Sequence, residues 1–470
     1  MRPILFVNGA VLAIISLPLL VIEMLNPGAD LPFLKAFGVI IFLGLGLMLA
    51  SRGGKIDFTH KQIFILTASI WIVLTFAATL PFYLYGMRLP DAVFEASSGI
   101  TTTGATVLAG LDDLPHSILM WRAFLQWLGG IGIVVTAIAL LPFLGIGGMQ
   151  LFRTESSELS EKELPSAAKL ATTTLWVYSA MTVACAIAYI IGGMTVFDGI
   201  AHAFTTVSTG GYSTHDKSFG YFDSAWIHWT CIFFMYLGSL PFLWYIRVIR
   251  TGQIWSEQVT VYTIGLTVVI VILILWLIHG HDIETEVAIR QSTFSVISVV
   301  TTSGFAVTDY TQWGHFSVAL FFFLIFIGGC TGSTSGGIKI MRFIISAKMI
   351  RQIVRKQIYP NGIFSEKYDG KKISDNIFKG VASFVLVTFL TFIFFAMLLM
   401  ISGLDFVTSL SASAAAVTNV GPGVGHMVGP VGNYANVHDL AKWSLSFEMI
   451  LGRLEIFTLL IFLSPRFWRS

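Results

Sequence analysis

Apolar residues in this chain neither alternate nor keep to one helical face. They run in continuous stretches of about 20 residues, the length that crosses a hydrocarbon core as an α-helix. Ten such stretches are predicted, near residues 4–24, 33–51, 62–86, 118–142, 168–192, 226–250, 259–279, 315–345, 377–402 and 443–464. Several contain Gly or Pro, which membrane helices accept when neighbours satisfy the freed backbone groups. The first stretch is longer than a signal-peptide core and has no small-x-small cleavage site after it, so it reads as an uncleaved span.

Composition agrees with the pattern. Of 470 residues, 55% are hydrophobic and 11% charged, too few charges to cover a soluble globule. A net charge of +2 excludes a basic nucleic-acid domain, and three cysteines in apolar surroundings exclude a disulfide framework or a thiolate zinc site. Lys and Arg collect in alternate loops: Arg52, Lys55 and Lys61; Arg247 and Arg250; and the run from Lys339 to Lys379. By the positive-inside rule that side is cytoplasmic, and both termini join it. The opposite loops are acidic, with Asp91, Glu95, Asp112, Asp198, Asp216 and Asp405 among them. Such a rim would concentrate cations, though individual acids serve equally well as solvated residues or helix caps.

The 44 glycines need a separate explanation. Four outer loops each contain a similar string: ITTTGATV from Ile100, VSTGGYST from Val207, VTTSGFAV from Val300 and VTNVGPGV from Val417. Aligned on Gly104, Gly211, Gly304 and Gly421, they share the form branched aliphatic, Thr or Ser, Thr or Asn, any residue, Gly, roughly every hundred residues. Each follows a half-length helical stretch opened by an aspartate (Asp91, Asp198 and Asp405, with Asp282 further out in the third), a favoured N-cap type. A half-helix directs its negative C-terminal end at the membrane centre, where it favours a cation. The chain must then return through backbone that lines a cavity. Glycine suits that return, and backbone carbonyls of Thr102, Thr103, Thr209, Gly210, Thr302, Ser303, Asn419 and Val420 are the expected ion ligands. Helix packing is the competing role for any single membrane glycine.

These residues resemble the Trk/Ktr/HKT superfamily of potassium transporters. Two extra N-terminal spans make the chain look like the bacterial TrkH type, and the resemblance extends to WRAFLQWLGGIGIVV and GGCTGSTSGGIKIMR. It implies potassium selectivity through glycine at all four filter positions, a homodimer, and a cytoplasmic TrkA-like ring of nucleotide-binding regulatory subunits. The fourth pentad departs from the pattern with Asn419 and Pro422. The predicted fold is an all-α polytopic membrane protein: four pseudo-repeats of helix, re-entrant pore loop and helix around one central pore, plus two N-terminal helices. The expected boundaries are 1–58 for the N-terminal pair, then repeats over 59–145, 146–252, 253–350 and 351–470.

The eighth stretch carries Gly328, Gly329, Thr331, Gly332, Ser333, Gly336 and Gly337, too much glycine for a stable helix. Segment 328–337 reads as a polar, flexible loop below the filter, and the resemblance makes it an intramembrane gate. No GxxxxGK[ST] spacing supports a phosphate loop instead. In the last stretch Glu448, Arg453 and Glu455 interrupt an apolar run at spacings poor for pairing within one helix. Arg453 is expected to reach the gating loop, with an interhelical salt bridge as the alternative. His202, His228 and His426 read as structural or vestibule residues. Segments 346–380 and 153–169 are candidate docking sites for the regulatory ring or plain positive-inside loops. Transport is read as channel-like conduction with potassium as substrate, in the bacterial inner membrane, needing no cofactor in this chain. A proton- or sodium-coupled symporter is the alternative, and no HExxH or GxSxG motif suggests an enzyme.

Overall fold

The fold was analysed in a computed structural model, which describes residues 2–25, 31–53, 58–139, 167–425 and 427–469. The described residues are mostly helical. Helices α1 (Arg2–Glu23) and α2 (Pro32–Ala50) form an antiparallel pair. Their backbones touch where Gly9 faces Gly44: a Cβ on Gly9 would lie 2.7 Å from the Gly44 carbonyl oxygen. The pair packs against α3 (His60–Leu84).

Four similar units follow. In the first, α3 leads into the short α4 (Leu89–Ile100), an irregular return, and α5 (His116–Ala139). In the second, α6 (Ala167–Ile191) and the short α7 (Val196–Val207) precede α8 (Ala225–Gly238) and α9 (Phe242–Thr251). The last two form one span bent by 87°. The third unit has α10 (Glu257–His281), the short α11 (Thr285–Val300), α12 (His315–Leu324) and α13 (Ile340–Ile358). The fourth has α14 (Asp375–Ile401), the short α15 (Phe406–Thr418) and α16 (Asp439–Arg453), with α17 (Phe457–Leu460) and α18 (Pro465–Arg469) at the end. This is an all-α polytopic membrane fold.

Among the described residues each predicted span coincides with helix, but three are not continuous rods. The sixth bends at Ser239–Pro241, where Pro241 cannot continue the ladder. The eighth is broken between Leu324 and Ile340 by the glycine-rich segment. The tenth ends at Arg453, and Glu455 and Ile456 then take positive φ values of 56° and 38°. No Gly or Pro marks that last break. A small hairpin, β1 (Lys367–Tyr368) with β2 (Lys371–Lys372), turns through Asp369–Gly370, both at positive φ as a two-residue hairpin turn requires.

The expected aspartate caps hold only in part. Asp405 caps α15 by accepting from the Thr408 amide at 3.1 Å. Thr195 caps α7, with Asp198 in its first turn, and Asp91 likewise lies inside the first turn of α4. Asp282 instead ends α10 in a left-handed conformation. Asp91 accepts instead from Lys442 and Arg88, and Asp198 from the Thr195 and Thr214 hydroxyls.

The short helices α4, α7, α11 and α15 are buried along most of their lengths, whereas α10 and α14 expose Val268, Val271, Ile272, Leu386, Leu390 and Phe394. On a soluble protein such a surface would aggregate. Here it is the belt that faces lipid.

Candidate functional site

The four pentads adopt one conformation. At the end of each short helix, Thr102, Thr209, Thr302 and Asn419 lie in the left-handed region at φ 54°, 52°, 61° and 55°. The amide of the following residue (Thr103, Gly210, Ser303 or Val420) then donates to a carbonyl five residues back, at 2.8–2.9 Å. The left-handed residue's own amide donates three residues back, at 3.0–3.2 Å. This double bond pattern is a Schellman cap, here built without glycine at its left-handed position. It uses the amides of the left-handed residue and of the residue after it.

The aligned glycines come next. Gly104, Gly211, Gly304 and Gly421 have φ of 85°, 85°, 76° and 96°, which alone favours glycine. Space demands it as well. A Cβ on Gly104 would strike the Gly210 carbonyl oxygen, one on Gly211 that of Ser303, one on Gly304 that of Val420, and one on Gly421 that of Thr103. The contacts therefore run from repeat one to two, two to three, three to four, and four back to one. The ring is closed. Above it, all four glycines line one outer cavity with His215, Asp216 and Tyr434.

Residues 325–339 pack against the ends of the short helices. The Gly336 amide donates to the Thr302 hydroxyl at 2.6 Å, the Gly337 amide to the Thr418 carbonyl at 2.7 Å, and the Thr209 hydroxyl to that of Thr334 at 3.2 Å. The bend of the α8–α9 span holds the same segment, since Phe242 donates to Gly332 and Cys330 donates to Ser239. Arg453 reaches it from α16, with Nη1 on the Thr334 carbonyl at 3.0 Å and Nη2 on the Gly129 carbonyl at 3.4 Å. Lys339 donates to the Ser335 carbonyl. Thr331, Gly332, Ser333, Gly336, Gly337, Arg453 and Glu455 line a second cavity below the segment. Gly328 and Gly329 let it fold on itself: a Cβ on Gly328 would strike the Gly336 carbonyl, and one on Gly329 would lie 2.5 Å from the Ser335 hydroxyl oxygen.

The chain matches the TrkH family, described as cation transport protein, over residues 31–255 and 240–470. It is 41% identical over 474 residues to the Trk system potassium uptake protein TrkI of Halomonas elongata, covering 99% of this chain and 96% of that protein. It is 36% identical to the Trk system potassium uptake protein TrkH of Escherichia coli K12, covering 97% and 95%. The chain belongs to the TrkH family. Its fold follows that of the crystal structure of the potassium transporter TrkH from Vibrio parahaemolyticus, with a TM-score of 0.91, 34% identity and 99% of both chains covered.

Within this TrkH-family chain, the pentad residues named from the sequence meet around one axis, and the glycine-rich segment lies below them. The three charges of the last span do not pair with one another. Glu448 accepts from the Ser413 hydroxyl of α15 at 2.6 Å, Glu455 pairs with Arg342, and Arg453 takes the contacts above. His202 is buried between the Asp198 carbonyl and the Ser213 hydroxyl, and His228 accepts from Arg290 at 2.9 Å. His426, Lys55 and residues 153–166 lie outside the described residues.

Sequence reasoning missed the support behind the ring. Arg122 on α5 pairs with buried Glu95 at 2.7 Å, donates to the Ser213 carbonyl at 2.9 Å, and lies over the Tyr212 ring. One turn on, Gln126 bonds the backbone on both sides of Gly211. A signal was present: a Gln and an Arg inside an apolar span are costly unless they have partners. The outer acids also tie repeats together. Asp91 pairs with Lys442 at 2.6 Å and with Arg88 at 2.8 Å, which joins repeat one to repeat four.

Proposed function

We propose that this chain takes up potassium across the bacterial cell membrane by channel-like conduction through the four-part carbonyl ring. The observation that carries this reading is the closed ring itself: four left-handed turns and four positive-φ glycines, each set against a carbonyl oxygen of the next repeat. Oxygens so arranged replace a cation's hydration shell, and short helices ending there add negative dipole. The ring's own residues are Thr, Ser, Asn, Val and Gly, with no titratable side chain, which supports conduction over proton coupling. The relatives' description as potassium uptake proteins supports the choice of ion. The membrane potential supplies about 2.3 kcal/mol per charge per 100 mV toward the cytoplasm. Potassium is the substrate and the chain needs no cofactor of its own.

Residues 328–337 act as the gate in this reading, strapped shut by Arg453. Opening is controlled by a cytoplasmic TrkA-like nucleotide-binding ring, and the protein works as a homodimer with both termini cytoplasmic. Helix α13 supports a docking role for 346–380, since it exposes Ile350, Ile353 and Ile358 beside Arg351 and Lys356. The deciding test is flux of potassium, rubidium, sodium and lithium into proteoliposomes, for the native protein and for Gly104→Ser. Potassium and rubidium should pass in preference, and the variant should lose that preference. A sodium-preferring native protein would sink the reading.

A further inference from the structure

The four ring carbonyls are not equivalent. Among the described residues, those of Thr103, Ser303 and Val420 accept no hydrogen bond, whereas that of Gly210 accepts one from the Gln126 amide nitrogen at 2.7 Å. The oxygen of the same Gln126 amide accepts from the Tyr212 N–H at 3.0 Å. One side chain thus spans Gly211, the ring glycine of repeat two, and holds the backbone on either side of it.

The second pentad is built to receive this side chain. The residue before the ring glycine is Thr103, Ser303 and Val420 in repeats one, three and four, but Gly210 in repeat two. A Cβ on Gly210 would collide with the amide end of Gln126 and lie 3.0 Å from its Cβ. The doubled glycine of VSTGGYST therefore makes room for Gln126. The glutamine is itself fixed. It is fully buried, one helical turn beyond Arg122, which is anchored on Glu95 and bonds the Ser213 carbonyl three residues further along the same strand.

We propose that Gln126 is a positioning residue for ion selectivity, holding the second strand of the ring at the width that suits potassium and keeping it from closing around sodium. This rests on the potassium reading above. A smaller ion needs the carbonyls to move inward. A strand held at Gly210 and Tyr212 by one rigid amide cannot follow, and a donor on the Gly210 oxygen also weakens that oxygen's pull on a small ion. Both effects oppose sodium, so the inference holds whether cavity width or carbonyl field strength dominates.

The test is the ratio of potassium to sodium flux in proteoliposomes for the native protein, Gln126→Leu and Gln126→Met. Both variants fill much of the space without the donor or acceptor. Folding is followed separately by size-exclusion profile and thermal unfolding in detergent. The ratio should fall about fivefold to tenfold, the scale that one buried hydrogen bond supplies, mainly through increased sodium entry. Folded variants with an unchanged ratio overturn the proposal, as does an equal loss of both fluxes, which would assign Gln126 to structure alone. Failure of both variants to fold overturns it in the same sense. A native protein without potassium preference overturns the potassium reading and this inference together, whereas a selective native protein with unaltered variants overturns only the role of Gln126.

Discussion

Threonine is a poor residue for positive φ, because its branched Cβ crowds the backbone there, at a cost on the order of 1 kcal/mol or more. Thr102, Thr209 and Thr302 hold that conformation nonetheless. Glycine would fit with less strain but would not supply the hydroxyls that Thr209 and Thr302 extend to the segment below. The same segment explains Arg453, a buried guanidinium with no carboxylate partner among the described residues. Its contacts are the Thr334 and Gly129 carbonyls, one in the segment and one in α5. Removing it breaks the segment's tie to α5 and α16 while leaving its bonds to the short-helix ends. Arg453→Ala should therefore raise potassium flux severalfold in proteoliposomes without the regulatory ring. A folded variant with native or lower flux would contradict the gate.

Where the helix after each return meets the end of its own short helix, three units use the same device. A Cβ on Gly129 of α5 would strike the Ile100 carbonyl, and one on Gly452 of α16 that of Val417; on Gly238 of α8 it would lie 2.9 Å from the Val207 carbonyl. Ile100, Val207 and Val417 are the opening residues of their pentads, so these glycines set how near each long helix stands to the ring. In the third unit the glycine-rich segment replaces a straight helix. Gly129→Ala should lower the thermal unfolding temperature by several degrees, since the carbonyl it would strike is backbone and cannot turn aside. Gly38→Ala on α2, where a Cβ meets nothing within 4 Å, is the matched control and should change little. A shift no larger than the control's would show that the helices have room to part.

Across the whole molecule, the outer loops are held by charge as well as by packing. His215 of repeat two stacks on Tyr221 at 3.6 Å, pairs with Asp112 of repeat one, and lies 3.6 Å from Asp198. His202 and Phe222 also lie against its ring. Burial alone would lower the pKa of the ring, but the carboxylates of Asp198 and Asp112 outweigh it and hold the value above 6.5. A group raised on folding contributes its stability fully below the unfolded value and loses it as pH rises through the folded one. Asp112 opposes burial through the same pairing and is held below 3.8, so its share is lost only on strong acidification. The unfolding temperature should thus decline as pH climbs past 6.5, and His215→Gln should flatten that decline. An equally steep decline in the variant would place the titration elsewhere.

Much of this architecture is legible in the sequence because its signals are local: ten apolar runs, four pentads in register and one glycine cluster. The reach of Arg453 to the glycine-rich segment was legible, but its bond to Gly129 and the partners of Gln126 were not, because those bonds cross between repeats and spacing along one helix carries no information about them. The break after Arg453 left no mark either, since Leu454, Glu455 and Ile456 include neither Gly nor Pro.

A side chain added at Gly104 displaces an oxygen that belongs to repeat two, and one added at Gly421 displaces an oxygen of repeat one. The quarter that carries a lesion is never the quarter that is injured. A compensating change should accordingly be sought one repeat onward, and a selection for second-site suppressors of a ring-glycine variant would trace the direction of the circle.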